Sequence, residues 1–379
     1  MKKQHLFRSI LSALVILSML AGIPVLAEEP VSEEPIPDEN GLYVLTEEVP
    51  DDVNNYTDSI VAGMMDMQLA GTADSVSNYS IGTPFVLKNA NGITQYVYPI
   101  IKNNEIRFFL RVCKNINPNE EYAGYLSDEL ADEFNLMMST PSAPISILQY
   151  NESLIAVQDS SIDVLLGEPV TEADLSAAPQ TFSDQATVVN LLSGSPIALS
   201  RASTATSKYL STDIIETQPF NGSTTGNNWC GGYAAAFCAR FASKQYYGSS
   251  YTRYDVYDVK DYCSEVTQLY HYFPVTALQS WGLYEGMDCS WVSDVVDGTY
   301  IKSDLMGEID ANRPVWLGYT DAETYAQHAV AARGYNQTGY SIWNPVSSSY
   351  ETIKSLGTPQ LTWLGHHWNL TDYIKGWGY

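Results

Sequence analysis

The stretch Trp229-Cys-Gly-Gly-Tyr-Ala-Ala-Ala-Phe-Cys-Ala-Arg-Phe241 constrains the chain more than any other. Tyr233, Phe237 and Phe241 recur every four residues as one apolar helical stripe, while Gly231, Gly232 and three alanines keep the first turns slim. So lean a helix draws its stability from elements packed close around it, which predicts a central, buried helix over 229–247, stopped by Gly248. Asn227 and Asn228, after Gly226, are its candidate N-caps. Cys230 then falls in the first turn, where unpaired N–H groups and the macrodipole favour a thiolate. A cysteine there is either a small core residue or a nucleophile. Cys238, between Phe237 and Ala239 in mid-helix, fits the core.

Further helices are expected over 252–265, 274–281 and 303–311, followed by strands in "RPVWLGYT", "AQHAVAARGY", "GYSIWNP", "LTWLG" and "TDYIKGWGY". Helices first and an antiparallel sheet second make the region 206–379 an α+β domain. Upstream, a helix over 59–69 and a helix in "SDELADEFNLMM" accompany "TPFVLKN", "TQYVYPII", "EIRFFLRV", "APISILQY" and "SLIAVQ". Turn signals at 89–92 and at Asn103-Asn104 separate these strands, so 56–167 reads as a smaller, sheet-rich α+β domain with no catalytic set of its own. Between the two, 168–205 is rich in Ser, Thr, Ala and Pro and reads as an exposed, protease-sensitive linker.

The N-terminus sets the compartment. Lys2, Lys3 and Arg8 precede an apolar run ending at Val25-Leu-Ala27, the pattern of a secretory signal peptide over 1–27, and no second apolar span follows. Residues 28–55, opening with "EEPVSEEPIPDEN", are expected to be an acidic disordered segment. The protein is therefore expected to be secreted, free of the membrane after cleavage, and monomeric. Residues 28–205 hold 6 Lys/Arg against 27 Asp/Glu, and 206–379 hold 10 against 17. A net charge of −25 excludes nucleic acid as a partner. Five cysteines leave at least one thiol unpaired, with Cys263 and Cys289 the candidate disulfide pair. No Cys-x-x-Cys or His-x-x-x-His spacing offers a metal site, and no cofactor is expected.

A thiolate needs a base. His328 opens the strand "QHAVAARGY", a turn at 336–339 follows, and the next strand returns as "YSIWNPV". In an antiparallel hairpin this brings Asn344 within a few residues of His328, where an amide can accept the Nδ1–H bond and hold the ring. His271, amid aromatics, reads as packing, and His366-His367 as surface or cleft wall.

The order Cys230, then His328, then Asn344 is that of papain-like peptidases, and 206–379 resembles the staphopains, secreted bacterial cysteine peptidases, in "GNNWCGGYAAA", "RPVWLG", "HAVAARGY", "IWNP" and the terminal "WGY". "SIGTPFVL" and "YVYPII" resemble the staphopain propeptide. The resemblance implies a papain-like catalytic domain behind a prodomain acting as intramolecular inhibitor, with protein or peptide substrates. It implies Cys230 as nucleophile, His328 as base and then acid, and Asn344 as its orienter, working through an acyl-enzyme. The family's oxyanion-hole Gln, six residues before the cysteine, is Thr224 here. A loop lengthened by "NGSTT" leaves Gln218 as the candidate, with Asn227 or Asn228 as substitutes. A papain-like amidase acting on cell-wall or signal peptides, or an inactive binding module keeping the fold, are the alternatives.

Overall fold

The computed structural model describes residues 41–88, 92–117, 119–138, 144–150, 153–158, 161–166, 186–198, 207–211, 229–269, 273–293, 298–354, 360–363 and 365–379. The expected signal peptide, Thr224, Gln218, Asn227, Asn228 and His271 lie outside them.

The first half runs β1 (Tyr43–Thr46), α1 (Asp51–Gln68), β2 (Ser80–Gly82), β3 (Phe85–Lys88), β4 (Thr94–Lys102), β5 (Glu105–Lys114), β6 (Tyr122–Ser127), α2 (Ala131–Met138), β7 (Ile145–Tyr150), β8 (Ser153–Gln158) and β9 (Ser161–Leu166). Asn103 and Asn104 turn β4 into β5 with left-handed φ of 54° and 65°, the backbone that a two-residue hairpin turn requires. The middles of β4 and β5 are apolar on both faces because both are covered. Ile60, Val61, Met64 and Met65 of α1 pack on Tyr98, Ile100, Leu110 and Val112. On the other face Phe85, Val97, Ile106 and Phe109 meet Phe134 of α2 and Ile145 and Ile147 of β7.

The second half runs β12 (Lys208–Tyr209), α3 (Cys230–Tyr247), α4 (Val256–Thr267), α5 (Val275–Tyr284), β13 (Ser290–Ser293), α6 (Gly298–Asp310), β14 (Val315–Asp321), β15 (Gln327–Tyr335), β16 (Tyr340–Asn344), β17 (Ser349–Ile353), β18 (Gln360–Trp363) and β19 (His366–Lys375). Ala329, Ala331, Trp343 and Ile374 project to one sheet face, onto the slim helix α3. Val330, Ala332, Ile342 and Ile353 project to the other, onto Ile301, Leu305 and Ile309 of α6. The architecture is α+β, as expected.

Three expectations need correction. Residues 41–55 are ordered structure rather than acidic disorder: Leu42, Val44 and Val53 are buried, and α1 begins at Asp51 instead of 59. The density of Asp and Glu hides the apolar face, and two of those acids, Asp51 and Asp52, suit the first turn of a helix. The described part of the expected linker, 186–198, is exposed for the most part but forms β10 (Thr187–Asn190) on β1 and β11 (Gly194–Pro196) on β2. Finally, among the described residues the two halves share one fourteen-stranded sheet: eleven strands run in the order β11-β2-β4-β5-β6-β17-β16-β15-β14-β19-β13, and β3, β12 and β18 pair off this path with β4, β15 and β19. The junction is β6 against β17, Leu126 opposite Thr352 and Tyr125 opposite Ile353. Gln68 of α1 clasps the same strand, donating to Tyr350 O at 2.5 Å and accepting from Thr352 Oγ1 at 2.9 Å.

Candidate active site

Helix α3 is buried from Cys230 to Ser243, and only its last turn, 244–247, reaches the surface. Gly232 shows why the helix is slim: a Cβ there would stand 2.7 Å from the Phe273 ring. Trp316 Nε1 of β14 donates to Gly231 O at 3.0 Å and pins the first turn to the sheet. Cys230 is the first helical residue, following Trp229, which supplies no side-chain cap. Its backbone N–H belongs to the orphan donors of a helix start.

β15 extends past the end of β16. Ala331 lies opposite Trp343, so Asn344, the last residue of β16, faces Val330, and Gln327 to Ala329 overhang. The Cys230 thiol meets this overhang. Sγ lies 3.9 Å from Gln327 O, and the main-chain N–H of Ala329 also bears on it. The thiol is thus set against the main chain on both sides of His328. Among the described residues no hydrogen bond joins the thiol to the imidazole.

A single bulge brings His328 and Asn344 together. From Tyr335 opposite Tyr340 and Gly334 opposite Ser341, unbroken pairing would place Asn344 opposite Ala331, on the α3 face of the sheet. The extra residue at Arg333 shifts the register, so Ala332 pairs with Ile342 and Asn344 comes to the face that carries Val330 and His328. His328 Nε2 then lies 3.1 Å from Asn344 Oδ1. The amide orientation follows from its other partners. Val346 N–H, which can only donate, reaches Oδ1 at 3.1 Å, and Nδ2 donates to Glu351 Oε1 at 2.8 Å. With Oδ1 as acceptor, His328 carries its proton on Nε2, leaving the Nδ1 lone pair for a thiol proton. The expected Asn344 partner was Nδ1–H; the geometry puts it at Nε2–H.

Burial decides the electrostatics. The site is nearly sealed, Cys230 being 9%, His328 8% and Asn344 2% exposed. Burial pushes the Cys230 thiol above its ordinary value, and the main-chain N–H groups of Ala329, Gly231 and Cys230 that pull it down do not win. Burial likewise lowers His328 to about 4 against the opposing Asn344 bond. In this state both groups are neutral at pH 7.

The described chain adds groups that the sequence reading did not single out. Trp363 and Trp368 flank the His328 ring at centroid distances of 5.3 and 5.9 Å. Glu351, fully buried, sits behind Asn344. Its strand, β17, was not among the expected elements, and the only hint was its place seven residues past Asn344. His366 Nδ1 approaches Asp321 Oδ2 at 2.7 Å, and His367 Nδ1 pairs with Thr362 Oγ1 at 3.1 Å. All five cysteines are free, Cys263 and Cys289 included, so the candidate disulfide is not formed. Among the described residues no cluster of His, Cys, Asp or Glu could hold a metal, and no helix is long and apolar enough to cross a membrane. No family model and no curated protein matches the chain.

Proposed function

We propose that the chain is a secreted cysteine endopeptidase made as a zymogen, with a papain-like domain over 206–379 and a prodomain over 56–167. The observation that carries this reading is a cysteine at the first position of a buried helix, set against the strand beside a histidine whose Nε2–H is held by an asparagine Oδ1. Cys230 attacks the peptide carbonyl while Nδ1 of His328 takes the thiol proton. The tetrahedral intermediate collapses to an acyl-enzyme as His328 returns the proton to the leaving amine, and water then releases the product. The Cys230 backbone N–H contributes to the oxyanion hole, and the side chain completing it is assigned to Gln218. The shared sheet and the Gln68 clasp support an inhibitory first half, since both bind it to the hairpin that carries Asn344.

The neutral thiol and imidazole, with no hydrogen bond between them, also suit a binding module that keeps the fold without activity. One experiment separates the readings. The chain is cleaved within 168–205, treated with an epoxide that alkylates active-site thiols, and assayed on casein. Labelling of Cys230 with casein hydrolysis, both abolished in Cys230→Ala, is expected. Labelling of another cysteine, or of none, would overturn the assignment.

A further inference from the structure

We propose that Glu351 is a positioning residue for this site, its carboxyl group holding the Asn344 amide in the one orientation that presents Oδ1 to His328. The role rests on the peptidase reading of Cys230 and His328.

Glu351 pairs with Ile342 across β16 and β17, so its side chain shares the face of Ile342 and, two residues on, of Asn344. On that face Glu351 Oε1 accepts from Asn344 Nδ2 at 2.8 Å and from Ser347 Oγ at 2.8 Å. Ser347 lies in the turn between the two strands, so the carboxyl ties turn, amide and strand into one unit. A run of contacts then leads from β17 to the base: Glu351 to Asn344 Nδ2, Asn344 Oδ1 to His328 Nε2. Without an acceptor at position 351, the buried Nδ2 loses its partner. Swinging the amide toward another acceptor would restore one, at the expense of the His328 contact.

The neighbours show how exposed this arrangement is to the first half of the chain. Ser347 and Asn344 face Glu351 from its own hairpin, and Glu129 and Asp128, just beyond β6, act on its charge. Tyr125 of β6, with Arg111 over its ring, faces it from the adjoining strands. Glu351 Oε2 is buried without a hydrogen-bond partner, while Arg111 Nη2 stands 3.8 Å from Glu129 Oε2. The carboxyl group is therefore held by its Oε1 contacts, and Oε2 is spare.

The test uses Glu351→Leu, which removes the acceptor at similar volume, and Glu351→Gln, which keeps it. Nitrogen NMR of imidazole-labelled intact chain reads the His328 tautomer directly, without requiring activity. Expected is a protonated Nε2 in wild type and Glu351→Gln, and loss of that preference in Glu351→Leu. In chain cleaved within 168–205, kcat on a peptide substrate should fall about 10- to 100-fold in Glu351→Leu with KM little changed, the loss expected from one unpaired buried donor. Glu351→Gln should keep most of the rate, and Glu351→Leu in an Asn344→Ala background should cost nothing more. An unchanged His328 tautomer in Glu351→Leu, or equal losses with and without Asn344, would overturn the role. Should Glu351→Leu not fold, Glu351→Asp, one methylene too short to reach Nδ2, carries the same measurements. Failure of the peptidase reading shows separately, as absent Cys230 labelling in wild type.

Discussion

Glu351→Gln gives the most direct test of the electrostatics. Glu351 is fully buried, and burial, reinforced by the charges of Glu129 and Asp128, raises it from 4.5 to about 8. Folded protein therefore keeps a proton at this site, between these two values, that the unfolded chain has released. Stability falls as pH rises through the window, at about 1.4 kcal/mol per pH unit, and the loss is complete near pH 8. His328 works in the opposite sense. Its value drops from 6.5 to about 4 on folding, so it adds stability as pH rises through that range. From pH 4.5 to 6.5 the two slopes cancel. Above pH 6.5 His328 contributes no further change and Glu351 alone remains, which predicts a decline of about 2 kcal/mol between pH 6.5 and 8. Gln at 351 keeps an acceptor for Asn344 Nδ2 and removes the titration. Urea unfolding of intact wild type and Glu351→Gln at pH 6.5 and 8 gives the double difference, in which Glu129 and every other group common to both proteins drops out to first order. A double difference near 2 kcal/mol in favour of the variant at pH 8 is expected. Parallel pH dependences in the two proteins would refute the reasoning.

In intact chain at pH 7, Cys230 should react with iodoacetamide more slowly than after release of the first half, because burial raises its thiol and keeps it in the neutral form. Mass-spectrometric alkylation rates check this. Gly282→Ala places a Cβ 2.3 Å from Cys289 Sγ and 3.3 Å from the Trp377 ring, and should destabilise the fold by about 1–3 kcal/mol, read by thermal denaturation. Gln68→Ala removes the hydrogen bonds to Tyr350 O and from Thr352 Oγ1 and should loosen α1 from β17 by about 1–3 kcal/mol. Faster amide exchange in β17 and faster proteolytic separation of the halves are the measurements.

Most of the geometry of the candidate site was legible because its signals are local. The glycines and alanines of 229–247 describe their own surroundings, and the helix forms from Cys230 to Tyr247 with Tyr233, Phe237 and Phe241 buried. Spacing about the 336–339 turn brought His328 and Asn344 near each other. What spacing could not supply was the bulge at Arg333, which decides the face Asn344 occupies and hence the nitrogen it meets. A bulge responds to packing on both sheet faces and leaves no residue-type signature here. Glu351 escaped for a related reason: a glutamate in "SSSYETI" reads as solvated, yet β17 lies between β16 and β6 and the side chain is buried. The order of residues 41–55 was hidden by composition, since a few apolar residues amid many acids carry little weight until a sheet exists to receive them.

On the peptidase reading, latency needs no residue inserted into the cleft. A thiolate–imidazolium pair requires the thiol to fall and the imidazole to rise, and burial moves each of them the other way. For His328 alone the displacement from 6.5 to about 4 opposes the charged form by about 3 kcal/mol. Trp363 and Trp368, which flank the His328 ring, pack in one cluster with Ile93, Cys113, Ala123 and Tyr125 of the first half. Cys113 Sγ reaches Thr362 O, and Ile116 N–H donates to Thr362 Oγ1, on the strand that bears Trp363. Departure of the first half would expose that face to water and lower the cost of charging His328, while taking Glu129 and Asp128 away from Glu351. The same step would let Glu351 ionise and accept more strongly from Asn344. Release of the inhibitor and tightening of the base's support would then be consequences of one change in solvation, at the sheet face shared by β6 and β17.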